Sequence, residues 1–146
     1  MNVGEWIEKR AFTHPDREFL KDGERVFGNR EFNERVNRTA RALQHLDIVK
    51  GERLALLMGN ASEFLEIFFA CAKTGAILVP VNYRLAGREI EYILRDSAPD
   101  VLFLFVGKGI CLPMMEERVR SAGLSNVRIL PYQPRARVPS FLAASD

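Results

Sequence analysis

Apolar residues follow two spacings along the chain, and segments with the two spacings alternate. Four short runs are mostly apolar, which is typical of strands buried in a parallel sheet. Between them, apolar residues return every three or four positions, as on one face of a helix. The alternation predicts an α/β fold with βαβ units around a mainly parallel sheet. The predicted strands cover residues 54–58, 76–81, 101–106 and 127–130.

The first third of the chain is predicted to contain two helices separated by a β hairpin. The first helix covers residues 3–12 and ends because Pro15 favours extended backbone at the preceding residue. Residues 17–21 and 25–27 flank Asp22-Gly23, a dipeptide that tolerates a tight turn. The second helix begins near Arg30, with Gly28 as its N-cap, and its opposite face is charged. Its apolar stripe contains Phe32, Val36, Ala40, Leu43 and Leu46.

Three further helices are predicted between the strands. The third has Asn60 as its cap, ends at Gly75 and is expected to be mostly buried, because only one arc of it is polar. That arc contains Ser62, Glu63, Glu66, Lys73 and Thr74. The fourth helix, residues 87–96, is expected to bury Ile90, Ile93 and Leu94. The last begins near Pro113 and carries Met115, Val119 and Ala122 on one stripe.

Composition narrows the functional classes. The chain has 146 residues, 47% of them hydrophobic, and a net charge of only +2, which indicates a folded domain without a strong attraction for nucleic acid. Cys71 and Cys111 lack Cys-x-x-Cys spacing and are expected to be reduced, buried thiols. Glu5 and Glu8 lie where a signal peptide would be apolar, and no run approaches about 18 apolar residues. We therefore expect a cytoplasmic protein with no membrane span.

Several short phrases occur in a fixed order. They are His14-Pro15-Asp16, then Lys-Gly-Glu-Arg-Leu-Ala-Leu at 50–56, Asn-Ala-Ser-Glu-Phe at 60–64, Ala-Cys-Ala-Lys-Thr-Gly-Ala at 70–76, Val-Pro-Val-Asn-Tyr-Arg-Leu at 79–85, and residues 89–97. Together they resemble the N-terminal part of the acyl-CoA synthetases, which are AMP-forming, adenylate-forming ligases, over most of residues 1–130. Gly28-Asn29, where the family often has Thr-Tyr, and Asp47, where glycine is common, depart from the pattern at scaffold positions.

The resemblance implies an intact enzyme that uses ATP and Mg²⁺ to convert a carboxylate to an acyl-adenylate, and then transfers the acyl group to coenzyme A. The family's phosphate loop is rich in Ser, Thr and Gly and ends in Pro-Lys-Gly. The sequence has no such phrase, no adenine-binding or magnesium-binding phrase, and no mobile C-terminal domain. We therefore expect no catalytic, cofactor-binding or metal-binding residue in this chain. Residues 1–130 are predicted to form a partial N-terminal domain, and 131–146 an irregular tail leading towards the missing phosphate loop.

Other candidate functional groups have simpler structural explanations. His14 and His45 lack partners enforced by spacing and are expected to be solvated. The N–H groups near Ser62 could attract an anion, but capping of the helix by Asn60 is the simpler interpretation. Asn82 and Arg84 are expected to hold the loop after their strand. The segment Gly107-Lys108-Gly109 lacks P-loop spacing and predicts a surface turn.

Two larger groups of residues also have alternative interpretations. Phe64, Phe68 and Phe69 could line an acyl pocket, but core packing is favoured because they lie on the broad apolar arc of the third helix. A group of arginines on the second helix could contact nucleic acid, but Glu31 and Glu34 alternate with them, which favours a solvated face. These arginines are Arg30, Arg35, Arg38 and Arg41.

Three functional hypotheses follow. The first is a truncated or partial acyl-CoA synthetase that is inactive on its own. The second is a non-catalytic interaction module that pairs with itself or with a full-length homologue, because an open sheet edge and exposed apolar surface favour association. The third is a Rossmann-like nucleotide binder, which is disfavoured because Met58-Gly59-Asn60 contains a single glycine.

Overall fold

The structure is a computed structural model of the chain, and it describes residues 2–105, 117, 119–121, 123 and 125–130. Helices and strands follow each other in the predicted order. The helices are α1 Val3–Thr13, α2 Asn29–His45, α3 Ser62–Thr74 and α4 Gly87–Ser97. The strands are β1 Glu18–Asp22, β2 Arg25–Gly28, β3 Arg53–Met58, β4 Ile77–Asn82, β5 Val101–Phe105 and β6 Val127–Leu130.

The described residues divide into two compact units. The first is formed by residues 2–51 and 60–77 and contains α1, the β1–β2 hairpin, α2 and α3. The second is formed by residues 52–59 and the described part of 78–134, and it contains α4 and nearly all of the larger sheet.

The second unit is built on a four-stranded sheet with the order β4-β3-β5-β6. β3 pairs with β5, and β5 with β6, both in parallel, which confirms the predicted α/β fold class. Leu54, Ala55 and Leu56 of β3 are fully buried, as expected for an apolar strand inside a parallel sheet. At the start of β3, Arg53 and Asp100 exchange two hydrogen bonds of 2.8 and 2.9 Å, directly before the first paired residues of β3 and β5, Leu54 and Val101.

The first unit begins with α1 and an antiparallel hairpin. Asn2 caps α1, since its side-chain oxygen accepts a hydrogen bond of 3.0 Å from the N–H of Glu5. β1 and β2 pair antiparallel around a turn in which Gly23 has a φ of 63°, so the predicted hairpin is confirmed. Gly28 is the N-cap of α2, as predicted, and it makes no side-chain hydrogen bond.

An aromatic core holds the first unit together. The predicted stripe of α2 is buried from Phe32 to Leu43, and Leu46 at its end is half-buried. The ring of Phe32 lies 4.6 Å from that of Phe19 on β1 and 6.2 Å from that of Phe69 on α3. The core therefore joins the hairpin to both helices. Its buried members are Ile7, Phe27, Phe32, Val36 and Phe69.

Helix α3 buries part of its polar side, whereas its apolar side was predicted to be the buried one. Part of its polar arc is buried, because Ser62, Glu63 and Glu66 are only 1%, 4% and 2% exposed. Phe68 is 37% exposed and Phe64 is half-buried, so the prediction of core packing is correct for Phe69 and wrong for Phe68. The physical reason is that two buried or half-buried arginines provide partners for the acidic side chains of α3.

The apolar side chains of α4 are less buried than predicted. The helix forms over nearly the predicted residues, but none of its side chains is buried, and Ile90, Ile93 and Leu94 are half-buried. Its first turn is fixed locally, because the Glu89 carboxylate accepts a 2.8 Å hydrogen bond from the N–H of Ala86.

Several predictions fall on residues outside the described part of the chain. Residues 117 and 119–121 are helical, in agreement with the predicted last helix. The predictions that lie outside the described residues concern Val106, residues 107–109, Cys111, Pro113, Met115, Ala122 and residues 131–146.

Candidate functional site

Polar side chains from four elements of the first unit meet beside the N-terminal half of α3. We call this group the charge cluster. It joins three acidic side chains, two arginines and one hydroxyl through contacts of 3.5 Å or less, and is therefore the first candidate for a site. Its members are Asp22, Arg25, Arg35, Ser62, Glu63 and Glu66.

Asp22 of β1 caps α3 from outside the helix. Its Oδ2 accepts hydrogen bonds from the N–H of Ser62 at 3.2 Å and from the Ser62 hydroxyl at 3.0 Å. The N-cap residue is Ala61, which has no side-chain acceptor, so the prediction that Asn60 caps this helix is wrong. Because a carboxylate already lies at the helix N-terminus, an external anion would meet negative charge there. The anion-site interpretation of Ser62 is therefore disfavoured.

A buried ion pair connects α2 to α3. Arg35 Nε donates a 2.7 Å hydrogen bond to Glu66 Oε1, and both side chains are almost fully buried. The solvated face predicted for the arginines of α2 is thus wrong for Arg35 and correct for Arg30, Arg38 and Arg41, which are exposed. Burial raises the pKa of the Glu66 carboxyl above its ordinary value, while Arg35 opposes that rise and the neighbouring Glu63 adds to it.

The second arginine of the cluster comes from β2. Arg25 Nη1 lies 3.5 Å from Glu63 Oε1, and Arg25 is only half-buried. The guanidinium groups of Arg25 and Arg35 both lie over the ring of Phe27, at 4.7 and 5.1 Å from its centroid. The negative face of that ring attracts cations, so Phe27 helps to keep both arginines close to the acidic side chains.

The cluster does not have the arrangement of a catalytic or cofactor site. The Ser62 hydroxyl contacts the carboxylates of Asp22 and Glu63, so its hydrogen bonds join two side chains of the cluster. In the described part of the chain, no group of three or more His, Cys, Asp and Glu side chains is arranged to hold a metal ion. These residues do not fit the phosphates of ATP or its Mg²⁺, and we derive no catalytic step from them. The contacts of the cluster join α3 to the hairpin and to α2.

His14, His45 and Cys71 are not members of the charge cluster. His14 and His45 are exposed, as predicted, and His14 Nδ1 lies 2.9 Å from the Thr13 hydroxyl. Cys71 is buried, which confirms the prediction for this thiol, and burial raises its pKa to about 12. A thiol with such a pKa stays protonated and unreactive at neutral pH. Cys111 lies outside the described residues.

Asn29 is a buried polar residue whose role the sequence did not reveal. Its amide nitrogen donates to the carbonyls of His14 at 2.7 Å and Arg17 at 3.0 Å. Its oxygen accepts a 3.1 Å hydrogen bond from Arg10 Nε. The sequence feature that could have pointed to this role is the departure from the family's Thr-Tyr at Gly28-Asn29. One fully buried side chain therefore fixes the loop between α1 and the hairpin.

Lys73 is a second residue whose structural role the sequence did not reveal. Its Nζ donates hydrogen bonds of 2.7 Å to Asn33 and 2.6 Å to Asn37, both on α2. Partial burial lowers the pKa of Lys73, and the nearby Glu8 opposes that shift. The lysine in the phrase at 70–76 thus links α3 to α2.

In the second unit, Asn82 behaves as predicted, because its side chain accepts a 3.0 Å hydrogen bond from the N–H of Arg84.

Comparison with known proteins connects this scaffold to a family. The AMP-binding enzyme profile matches residues 7–139. A crotonobetaine/carnitine–CoA ligase of Salmonella typhi is 45% identical over 78 residues, which are 53% of this chain and 15% of that ligase. A long-chain-fatty-acid–CoA ligase of Mycobacterium tuberculosis is 39% identical over 103 residues, which are 69% of this chain and 20% of that ligase. An indoleacetate–CoA ligase of Aromatoleum aromaticum is 36% identical over 104 residues, 71% of this chain and 20% of that ligase.

Solved structures agree with the sequence relatives. The N-terminal domain of FACL13 from Mycobacterium tuberculosis superposes with a TM-score of 0.79 and 28% identity, covering 100% of this chain and 37% of that domain. The Klebsiella oxytoca NpsA N-terminal subdomain gives 0.67 and 27%, covering 70% of this chain and 27% of that subdomain. The chain thus spans about a fifth or less of the length of the curated relatives it matches. No helix in its described residues is long and apolar enough to cross a membrane. The chain belongs to the AMP-binding enzyme family of adenylate-forming ligases and corresponds to an N-terminal portion of them.

Proposed function

We propose that this chain provides the N-terminal scaffold of an AMP-forming carboxylate–CoA ligase that acts in the cytoplasm. The observation that carries the proposal is the family match over residues 7–139, supported by a superposition that covers the whole chain. The three relatives compared are all named CoA ligases. In the intact enzyme, a carboxylate oxygen attacks the α-phosphorus of ATP and pyrophosphate leaves. The thiol of coenzyme A then attacks the acyl carbon, and AMP leaves as the thiol loses its proton.

The acid is a carboxylate such as a fatty acid, and its selection is proposed to lie outside this segment. The relatives carry the names of three chemically different acids: crotonobetaine or carnitine, indoleacetate and a long-chain fatty acid. Over alignments of similar length, the fatty-acid and indoleacetate relatives are 39% and 36% identical to this chain, and the crotonobetaine/carnitine relative is 45% identical over a shorter stretch of 78 residues. A segment that selected the acid would be expected to favour one of the three. The similar identities support a scaffold role.

We propose further that the chain alone is inactive, since its sequence has no Pro-Lys-Gly loop and the described charge cluster does not fit phosphates. The test is an exchange of labelled pyrophosphate into ATP, with Mg²⁺ and either palmitate or indoleacetate, using the purified 146-residue chain. We expect no exchange above that of heat-denatured chain. Exchange that depends on both the acid and the native chain would overturn the proposed inactivity.

A second candidate function is a non-catalytic interaction module that pairs with itself or with a full-length homologue. The observation that favours it is the exposure of large apolar side chains, among them Trp6 and Phe68. Light scattering coupled to size-exclusion chromatography tests self-pairing directly. A monomer that also unfolds in one sharp thermal transition would reject self-pairing.

A further inference from the structure

Three buried atoms of the charge cluster make no hydrogen bond with any described residue. They are Arg25 Nη1, Arg35 Nη2 and Glu63 Oε1. The side chains of Arg35 and Glu63 are only 9% and 5% exposed, and all three atoms are shielded from bulk solvent. Buried polar atoms of folded proteins nearly always bind a protein group or an ordered water molecule, because an unmade hydrogen bond leaves the cost of desolvation without compensation. The three atoms therefore mark a place where a partner is needed.

These atoms belong to side chains that meet beside the ring of Phe27. Arg25 Nη1 and Glu63 Oε1 are 3.5 Å apart, which is longer than the roughly 2.7 to 2.9 Å of a charge-assisted hydrogen bond. The guanidinium group of Arg35 lies over the same ring as that of Arg25. Arg35 Nε is bound to Glu66, which is one turn from Glu63 on α3. Two donors and one acceptor thus lie in one part of the cluster without direct hydrogen bonds among them.

From this geometry we infer that the charge cluster binds one buried water molecule. The water accepts hydrogen bonds from Arg25 Nη1 and Arg35 Nη2 and donates one to Glu63 Oε1. A water molecule has two lone pairs and two protons, so it satisfies two donors and one acceptor at once. Buried waters typically make about three hydrogen bonds to polar groups that would otherwise be unsatisfied, which is the number available here. The site connects β2, α2 and α3 through a single molecule.

The charges around the site favour water over an ion. A chloride ion could accept from both arginines, but it has no proton to donate and would lie beside the carboxylates of Glu63 and Glu66. A metal cation would be repelled by the two guanidinium groups. Because Arg25 and Arg35 are already matched by these two glutamates, a neutral ligand leaves the charges of the four side chains balanced. The ligand is therefore a small neutral molecule that both donates and accepts.

The number of slowly exchanging water molecules tests the inference. Oxygen-17 relaxation dispersion counts these molecules in the folded 146-residue chain. The double variant Arg25→Met/Glu63→Leu removes one donor and the acceptor together, so that neither member of the ion pair is left without the other. We expect this variant to hold one slowly exchanging water fewer than the wild-type chain. Glu34→Leu/Arg38→Met is the matched control, because both residues are exposed on α2, and it should leave the number unchanged.

Two results with the variants would overturn the inference. The first is a double variant that is folded, as shown by circular dichroism, and holds as many slowly exchanging waters as the wild-type chain. The second is a thermal midpoint of the wild-type chain that rises with sodium chloride but not with sodium gluconate, while the midpoint of the double variant responds to neither salt. That result would assign the site to an anion.

A crystal structure of the wild-type chain provides a measurement that does not require a variant to fold. We expect one water molecule within about 3.2 Å of Arg25 Nη1, Arg35 Nη2 and Glu63 Oε1. A direct hydrogen bond between Arg25 and Glu63, with no water molecule between these side chains, would overturn the inference.

Discussion

Asp22 accepts two hydrogen bonds from Ser62, although the two residues are 40 positions apart in the sequence. A cap for a helix usually comes from the residue that precedes its first turn. Here the preceding residue is Ala61, and the last residue of β1 supplies the acceptor instead. The relationship couples the hairpin to the first turn of α3. The N–H of Ser62 gains its acceptor only when the hairpin has formed.

Asp22→Ala should therefore destabilise the first unit. Loss of a capping acceptor costs about 1 to 2 kcal/mol, and loss of negative charge at a helix N-terminus adds to that. Asp22→Asn retains an oxygen acceptor and should lose clearly less. Urea unfolding followed by far-ultraviolet circular dichroism measures both variants. Equal losses for the two variants would contradict capping by Asp22 and indicate that its charge alone matters.

The Arg35–Glu66 pair gives a pH-dependent prediction. Arg35→Met leaves the Glu66 carboxylate buried without its cation, which typically costs about 3 to 5 kcal/mol at neutral pH. The double variant Arg35→Met/Glu66→Leu should recover most of that loss, since it removes both charges. Arg38→Met is the matched control, because Arg38 is exposed on the same helix, and it should change the free energy of unfolding by less than about 0.5 kcal/mol.

The loss in Arg35→Met should shrink as the solution is acidified towards pH 4. The folded pKa of Glu66 is raised, and removal of Arg35 raises it further, so the folded state holds a proton that the unfolded state releases. Stability from this group is present below the unfolded pKa of about 4.5 and is lost as pH rises towards the folded pKa. Urea unfolding at pH 4 and pH 7 measures the difference. A loss that is independent of pH would show that Glu66 is not the group responsible.

Two glycines with positive φ, Gly51 and Gly75, allow the cost of backbone strain to be separated from the cost of a steric clash. Gly75 ends α3 with a φ of 83°, and a Cβ added there would lie 2.8 Å from Lys50 Cγ. Gly51 has a φ of 92° with nothing within 4 Å of the added Cβ. Gly51→Ala should cost about 1 to 2 kcal/mol from backbone strain alone, and Gly75→Ala should cost more. Urea unfolding midpoints of the two variants measure the difference. A lower midpoint for Gly51→Ala than for Gly75→Ala would contradict the prediction.

Cys71 should resist alkylation in the folded chain. With a pKa of about 12 it remains a buried thiol at pH 8, where an exposed cysteine is partly thiolate. In a Cys111→Ser variant, iodoacetamide should leave the native chain unmodified and should label one cysteine after denaturation in urea. Rapid labelling of Cys71 without denaturant would show that α3 opens readily.

Local patterns were sufficient to predict much of the fold. The apolar runs predicted β3 to β6, the Asp22-Gly23 turn predicted the hairpin, and the stripe from Phe32 to Leu43 predicted the buried side of α2. Each depends on residues that are neighbours in sequence, for which spacing alone indicates the structure.

The orientation of α3 could not be predicted in the same way. Its buried acids are stabilised by Arg25 and Arg35, and its cap comes from Asp22, all of them far away in sequence. Likewise, the spacing in α4 shows which side of the helix is apolar, but not whether another element covers that side. The expectation that the chain contains no catalytic residue remains a prediction, because the matching relatives are several times longer than the chain.

The proposed scaffold function is tested most directly by the activity of a chimera in which this chain replaces the aligned segment of the Mycobacterium tuberculosis long-chain-fatty-acid–CoA ligase. Pyrophosphate exchange into ATP is measured with palmitate for the native Mycobacterium ligase, for the chimera, and for a chimera in which the inserted segment carries Arg35→Met. We expect the first two to exchange at rates within about tenfold of each other, and the third to lose activity at a lower temperature than the second because its inserted segment is less stable. A chimera that folds, as shown by circular dichroism, but does not catalyse exchange would contradict the assignment of this chain as a ligase scaffold.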